Sequence, residues 1–178
     1  MGLKLADLMP CHDRRPCPSP RAATRAKKSG RHQKNAPTVY ATAQDAIAEL
    51  ERKHGPRAAI WAYHDAIGEP VGMIVRWNTA GDKDIRPLAK TANGWIIGGM
   101  PEPRPLYRLP ELLARPDECV YVTEGEKAAD AAASIGLLAT TSPHGSESAK
   151  MADWTPLTGR DVIILPDNDD AGQGYARD

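Results

Sequence analysis

The stretch that decides the fold is CVYVTEGEKAADAAASIGLLATT, residues 119–141. It starts with an apolar strand pattern, continues with a helical pattern that ends at Gly136, and closes with a second short strand pattern. A third apolar run, DVIILP, follows the loop SPHGSES. Strands that alternate with a helix are typical of a parallel α/β sheet. We therefore predict parallel strands at 119–123, 138–141 and 161–166.

Acidic residues stand at the carboxyl ends of two of these strands. The first strand runs into Glu124, and Gly125 permits a tight turn into the helix. The last strand runs into DNDDAG, in which Asp167 and Asp169 face the same side of an extended chain. Because ligands bind beyond the carboxyl ends of parallel strands, these carboxylates form a candidate site.

Grouped carboxylates indicate a divalent cation. Neighbouring carboxylates repel each other by roughly 1–4 kcal/mol per pair at effective dielectric constants of about 80–20, and a cation would relieve this repulsion. Hard oxygen ligands favour Mg²⁺ or Mn²⁺ over zinc and leave coordination positions for phosphate oxygens. Taken alone, DNDDAG is often an acidic turn that caps a helix, and Glu124 an ordinary helix N-terminal acid. The two together favour a metal site.

Residues 38–116 predict a small α+β subdomain. Thr42 begins a capping-box pattern, and apolar positions recur at helical intervals as far as about His54. After a Gly-Pro break the pattern has period two, in AIWAYHD, VGMIVRW, IRPLAK and GWIIGG, with polar turns between them. This predicts an antiparallel meander. A proline-rich connection follows, with a short helix around Leu109 to Ala114.

The N-terminal residues 1–37 have a different composition from the rest. They contain nine Lys and Arg against two acids, whereas residues 117–178 contain four against twelve. Large apolar side chains are scarce in residues 10–37, so we expect a basic, Pro-rich, disordered tail or linker. Two interpretations stay open: a segment that helps to hold DNA through counterion release, and a solvated tether.

Composition also bears on location and cofactors. The chain is 41% hydrophobic and 26% charged, and no apolar run approaches the 18 residues of a membrane span, so we expect a cytoplasmic protein. The cysteines Cys11, Cys17 and Cys119 form no CxxC pair and are too few for a disulfide framework. We expect reduced thiols. A GxxxxGK[ST] loop is absent, so any helicase ATPase lies outside this chain.

Two motifs together, VTEGEKAAD and ILPDNDDAG, resemble the Toprim domain of the primases of phages and mobile elements and of the bacterial replicative primase. The family pattern is a strand that ends in Glu-Gly and a later strand that ends in D-x-D with a glycine three residues on. It is matched here by Glu124, Gly125, Asp167, Asp169 and Gly172. YHDAIGEPVGMIVRW, KDIRP and PLYRLPELL look like the basic subdomain that precedes Toprim, so the resemblance covers about residues 57–178.

The resemblance implies a Rossmann-like parallel Toprim sheet at 117–178, preceded by the small α+β subdomain. It implies general acid-base chemistry or metal contact for Glu124, and Mg²⁺ or Mn²⁺ binding for Asp167 and Asp169. A full Toprim domain continues through a further helix and strand, whereas this chain stops at Asp178, so we expect the domain to be incomplete at its C-terminus.

The same resemblance implies binding roles for several basic residues. Arg76, Lys83 and Arg86 correspond to positions that face the catalytic rim, where they bind template or nucleoside triphosphate. Lys127 belongs to the EGEK pattern. For each of them an exposed, solvated charge is the alternative. His144, in the loop before the last strand, is expected to be polar filler rather than a catalytic base.

The function implied is that of a fragment of a DNA primase, or of the primase part of a primase-helicase. It would make RNA primers on single-stranded DNA from ribonucleoside triphosphates with Mg²⁺, beside a helicase domain or protein. The zinc ribbon of primases is missing too, so we expect the fragment alone to be inactive. The alternatives are a Toprim nuclease or topoisomerase, which would need a nucleophilic tyrosine from another region, and a non-catalytic module that binds metal and nucleic acid.

Overall fold

The computed structural model describes residues 37–79, 82–144 and 146–168, together with positions 172, 174 and 177. Chain contacts group the residues from Ala36 to Asp178 into one compact unit. The tail predicted at 1–37, apart from Pro37, lies outside the described residues, and so do two positions of the acidic loop, Asp169 and Asp170.

An antiparallel sheet makes up the first half of this unit. Its strands lie in the order β1-β5-β4-β3-β2. They are β1 (Val39–Tyr40), β2 (Ala59–His64), β3 (Pro70–Thr79), β4 (Asp82–Thr91) and β5 (Gly94–Ile97). Strands β2 to β5 each pair with their neighbours in the chain, which confirms the predicted meander. The pairing of β1 with β5 was not predicted.

Helix α1, Ala43–His54, covers one face of this sheet. The predicted capping box is present: Thr42 Oγ1 accepts a hydrogen bond from the Asp45 backbone N–H at 3.1 Å, and the Asp45 carboxylate accepts one from the Thr42 N–H at 3.0 Å. The buried side of α1 packs on a cluster contributed by the sheet. That cluster contains Val75, Trp77, Leu88 and Trp95.

A parallel sheet makes up the second half, in the order β7-β6-β8. Its strands are β6 (Val120–Thr123), β7 (Leu138–Thr140) and β8 (Val162–Leu165). All pairs are parallel, which confirms the strands predicted from the sequence and the α/β class of this half. Helix α3, Glu126–Ser134, connects β6 to β7, and Gly136 follows it with φ 91°, a backbone conformation that suits glycine.

The proline-rich connection between the two sheets contains helix α2, Leu109–Ala114, at the predicted position. Fully buried side chains before and within α2 fix this connection to the parallel sheet, since Leu106 and Leu112 share a core with Val120 and Leu138. Two short 3₁₀ segments, at 146–151 and 155–157, lead from β7 to β8.

Strand β8 is exposed on both faces. The exposed fractions of its four side chains lie between 38% and 44%, although all four are large and apolar. In contrast, Val120 and Val122 of the central strand β6 are buried. Within the described residues, β8 pairs with β6 on one side and with no strand on the other.

Aromatic side chains hold α3 against the antiparallel sheet. Trp61 Nε1 and the Tyr107 hydroxyl donate hydrogen bonds to the two carboxylate oxygens of Asp130, at 2.8 and 3.0 Å. The Tyr63 hydroxyl donates to Glu126 Oε1 at 2.8 Å. Glu126 and Asp130 are four residues apart, so their carboxylates lie on one face of α3. We call these five residues the aromatic-carboxylate clamp.

The clamp places a carboxylate in an unfavourable environment. Burial raises the pKa of Glu126, and the negative charge of Asp130 adds to the increase, although hydrogen bonds from its own backbone N–H and from Tyr63 act in the other direction. Burial, and next the hydrogen bond to Asp130, raise the pKa of Tyr107, so this hydroxyl remains a donor at neutral pH. Ionisation of Glu126 therefore lowers the free energy of unfolding of the protein.

Glu126→Gln should remove this cost while keeping an acceptor for Tyr63. The folded-state pKa is raised above the ordinary value of 4.5, so the native state binds more protons than the unfolded chain between the two pKa values. Stability therefore falls as pH rises through that interval. We expect Glu126→Gln to melt above the wild type at about pH 8 and to lose this advantage at about pH 4. Thermal melting in EDTA measures both.

Glu118→Gln is the control, since Arg115 lowers the pKa of the exposed Glu118. This variant should show no gain at about pH 8. Identical melting of Glu126→Gln and the wild type at every pH would contradict the cost assigned to Glu126.

Candidate functional site

A cavity of about 700 Å³ lies between the carboxyl edge of the parallel sheet and the antiparallel sheet. Its walls contain five of the seven residues that the sequence predicts for the site. Arg76 and Lys83 come from the antiparallel sheet, and Glu124, Lys127 and Asp167 come from the other half. The fold thus brings together residues that are up to 91 positions apart in the chain (Arg76 to Asp167).

The register of β3 and β4 explains why Arg76 and Lys83 reach the cavity. Trp77 and Leu88 pack against α1, and successive side chains of a strand point to opposite faces. Arg76 and Lys83 therefore lie on the face away from α1, with Ile85, which is paired with Arg76, between them. Ile85 is 41% exposed and contributes an apolar part of the cavity wall.

Arg86 does not line the cavity with them. It is three residues from Lys83, so strand alternation places it on the α1 face, where its Nε lies 2.9 Å from Asp84 Oδ1. Asp84 also approaches His54 of α1, at 3.3 Å. The structure therefore gives Arg86 an ion-pair partner on the opposite face from the cavity.

Glu124 follows β6 directly and precedes Gly125, the N-cap of α3. The buried Thr123 donates its hydroxyl to the carbonyl oxygens of Gly125 and Thr140, at 3.1 and 3.3 Å, which fixes the backbone at this strand end. Glu124 Oε2 is shielded from solvent and has no hydrogen-bond partner among the described residues. A buried polar atom without a partner costs about 1–3 kcal/mol, so Glu124 is suited to a ligand that supplies one.

Asp167 lies two residues beyond β8, on the rim of the same cavity. Gly172 returns the acidic loop onto the Asp167 backbone: a Cβ at position 172 would lie 2.3 Å from the Asp167 carbonyl oxygen. Only a glycine fits such an approach. Gly172, three residues after the D-x-D motif, therefore permits the chain to pack closely against the Asp167 backbone.

The cavity contains three cations, Arg76, Lys83 and Lys127. In the described part of the chain none of them forms an ion pair. The Arg76 side chain donates a hydrogen bond to the side-chain oxygen of Asn78, at 3.1 Å. Uncompensated positive charge beside carboxylates suits a ligand that carries phosphates and arrives with a divalent cation.

The carboxylates present fit such a cation in chemical type. Glu124 and Asp167 offer hard oxygen ligands, and Glu124 Oε2 has no partner within the described residues. Among those residues no three His, Cys, Asp or Glu side chains form a group that could hold a metal ion. Asp169, the second carboxylate of the D-x-D motif, lies outside the described residues.

His144 is a cavity residue that the sequence reasoning set aside. It lies in the loop after β7, and its φ of 73° is in the left-handed region. Its Nε2 is shielded from solvent without a partner in the part of the chain that the structure describes. Burial, and then the nearby Arg104 cation, lower the pKa of His144. The rule that ligand-binding residues follow parallel strands would have selected it.

A second cavity, of about 510 Å³, lies beside Tyr107 and Arg108. None of the predicted site residues lines it. Arg108 is paired with Glu111 and lies 3.7 Å from Asp130, so its charge is compensated. The first cavity is therefore the candidate site.

Comparisons with family models, with curated proteins and with solved structures gave no match for this chain. Within the described residues, no helix has the length and apolar character needed to cross a membrane. The case for a function therefore depends on the residues and the geometry of the cavity.

The contact at Gly172 can be tested with a neighbouring glycine as the matched control. Gly172→Ala should lower the free energy of unfolding by about 1–3 kcal/mol, because the new methyl group collides with the Asp167 backbone. Gly174→Ala should be close to neutral, since a Cβ there meets nothing within 4 Å. Urea unfolding of both variants measures the difference. Equal stability of the two would show that the acidic loop does not close on Asp167.

Proposed function

We propose that this chain carries the Toprim part of a DNA primase, or of the primase part of a primase-helicase, which makes RNA primers on single-stranded DNA. The observation that supports this most is the cavity itself. One wall carries the carboxylates Glu124 and Asp167, and the facing wall carries the cations Arg76 and Lys83, which form no ion pair within the described residues. Nucleotidyl transfer needs both kinds of group, because the reacting phosphates are polyanionic and require a divalent cation.

In this proposal Asp167 and Asp169 hold Mg²⁺ or Mn²⁺. The ion, when bound, would neutralise the negative charge on the phosphate oxygens. This charge otherwise repels the oxygen of the incoming hydroxyl. Asp167 lines the cavity, and the close approach of Gly172 to its backbone supports this position. Glu124, whose Oε2 has no partner among the described residues, accepts the proton of the attacking ribose hydroxyl.

The cations orient the substrates. Arg76 and Lys83 bind phosphates of the template or of the nucleoside triphosphate, and Lys127, the second residue of α3, binds the triphosphate from the other side of the cavity. The partners are single-stranded DNA, ribonucleoside triphosphates and a helicase domain or protein, and the proposed location is the cytoplasm.

Products formed with Mg²⁺ test the proposal against its alternatives. Short RNA made from labelled ribonucleotides on single-stranded DNA supports primase activity, and nicked labelled DNA supports a nuclease or topoisomerase instead. Binding of nucleotide and DNA without either product supports a non-catalytic module. Metal binding gives a test that does not depend on product formation.

Mg²⁺ should raise the melting temperature of the wild type. Binding to the native state adds RT ln(1 + [L]/Kd), about 2.7 kcal/mol at a hundredfold excess over Kd. Asp167→Asn combined with Asp169→Asn removes both the ligands and the mutual repulsion, so this variant should melt at or above the metal-free wild type and respond little to Mg²⁺. Differential scanning calorimetry with and without EDTA measures both effects.

Glu124→Gln is the matched comparison, because it changes a proton acceptor and leaves the D-x-D motif intact. It should keep most of the Mg²⁺-dependent shift and lose product formation in any form of the protein that is active. If the double aspartate variant responds to Mg²⁺ as the wild type does, the D-x-D motif is only an acidic turn, and the primase proposal loses its main physical support.

A further inference from the structure

Each strand of the parallel sheet is followed by a polar side chain that lines the cavity. Glu124 follows β6, Asp167 follows β8, and His144 lies in the loop that follows β7. The first two are acidic and belong to recognised motifs of the sequence. His144 is the third member of this edge, and the proposed chemistry gives it no role so far.

The backbone of His144 adopts a conformation that most residues avoid. Its φ of 73° is left-handed, which costs a residue with a Cβ on the order of 1 kcal/mol, whereas glycine adopts it freely. A side chain kept in such a conformation at the edge of a cavity points to a functional constraint. The constraint concerns the imidazole, because glycine would satisfy the backbone better.

The imidazole of His144 has an unused hydrogen-bonding atom. Nε2 is shielded from solvent and has no partner within the described residues. A Cβ on Gly99 would lie 3.7 Å from Nε2, so this atom faces the segment that contains Gly98 and Gly99. Because Gly99 has no side chain, the space that a Cβ would fill beside Nε2 and the Arg104 guanidinium is left open to a ligand group.

The surroundings of His144 define which group would bind there. Burial and the Arg104 cation both disfavour the protonated ring, so at neutral pH it has one N–H donor and one acceptor nitrogen. Phosphate oxygens only accept hydrogen bonds, and the cations of the cavity serve them better. Mg²⁺ prefers oxygen ligands to an imidazole nitrogen, so the metal of the proposed function gives His144 no role. A hydroxyl both donates and accepts, and it complements the neutral ring.

We propose that His144 hydrogen-bonds a ribose hydroxyl of a nucleotide bound in the cavity and thereby distinguishes ribonucleotides from their deoxy analogues. This inference depends on the proposed function, which takes the occupant of the cavity to be a nucleotide. A site with a buried group that only the hydroxyl can satisfy rejects the analogue that lacks it, since binding the analogue leaves that group unpaired.

Binding of ATP, 2′-deoxy-ATP and 2′,3′-dideoxy-ATP, each with Mg²⁺, tests the inference by titration calorimetry. The wild type should bind ATP about 10- to 100-fold more tightly than the analogue that lacks the contacted hydroxyl. His144→Gly keeps the left-handed backbone and removes the ring. It should bind ATP and that analogue with nearly equal affinity. His144→Asn tolerates the same backbone and should retain part of the discrimination.

Lys83→Met is the control for a phosphate contact. It should weaken all three nucleotides by the same factor and leave the ratio of their affinities unchanged. His144→Gly should melt at or above the wild type, which separates loss of a contact from loss of the fold.

The outcomes separate the inference from the proposed function. If the wild type binds the three nucleotides equally, or if His144→Gly keeps the wild-type ratio, the role of His144 is overturned while nucleotide binding stands. If the wild type binds none of them, the proposed function is overturned together with the role of His144.

Discussion

The candidate site depends on the hydrogen bonds between α3 and the antiparallel sheet. Trp61 and Tyr63 are alternate residues of β2, so both project from one face, and the carboxylates that they meet are one helical turn apart. The spacing along the strand thus matches the spacing along the helix. Since α3 begins immediately after Glu124, this match sets the distance between the acidic strand end and the cations of β3 and β4.

Charged residues that are close in sequence around the start of α3 have different surroundings. Glu124 lines the cavity with one oxygen unpaired among the described residues. Glu126 lines the cavity too, and its Oε1 accepts the Tyr63 hydrogen bond of the clamp. Lys127 lines the cavity without a carboxylate partner in that same part of the chain. One short segment therefore joins the two halves of the unit and supplies part of the site. Substitutions in this segment therefore affect both the stability of the fold and binding in the cavity.

Local periodicity was enough to predict most of the elements. The capping box at Thr42, the meander, α2 and the three parallel strands were all read from neighbouring residues, and the meeting of Glu124 with Asp167 at one cavity followed from strand topology. Strand β1 was missed because two residues give no periodic signal. The clamp was missed because Trp61 and Asp130 are 69 residues apart, and no local pattern reports such a contact.

Two further differences between the prediction and the structure concern Arg86 and His144. Alternation along β4 already separates Lys83 from Arg86, so their assignment to one rim did not follow from the sequence pattern. His144 was set aside as filler because a single histidine in a loop has no pattern of its own. Its shielded nitrogen and left-handed backbone are visible only in three dimensions.

The open edge of β8 affects how this chain behaves in concentrated solution. Within the described residues, the outer N–H and C=O groups of β8 pair with no other strand, and its apolar side chains are exposed on both faces. Such an edge is a template for strand addition and for aggregation. Val162 to Leu165 contain no charge or proline, and the residues that oppose such pairing are Asp161 and Pro166 at the two ends of the strand. Because β8 leads directly to Asp167, a strand added at this edge would alter the surroundings of Asp167 as well as the solubility.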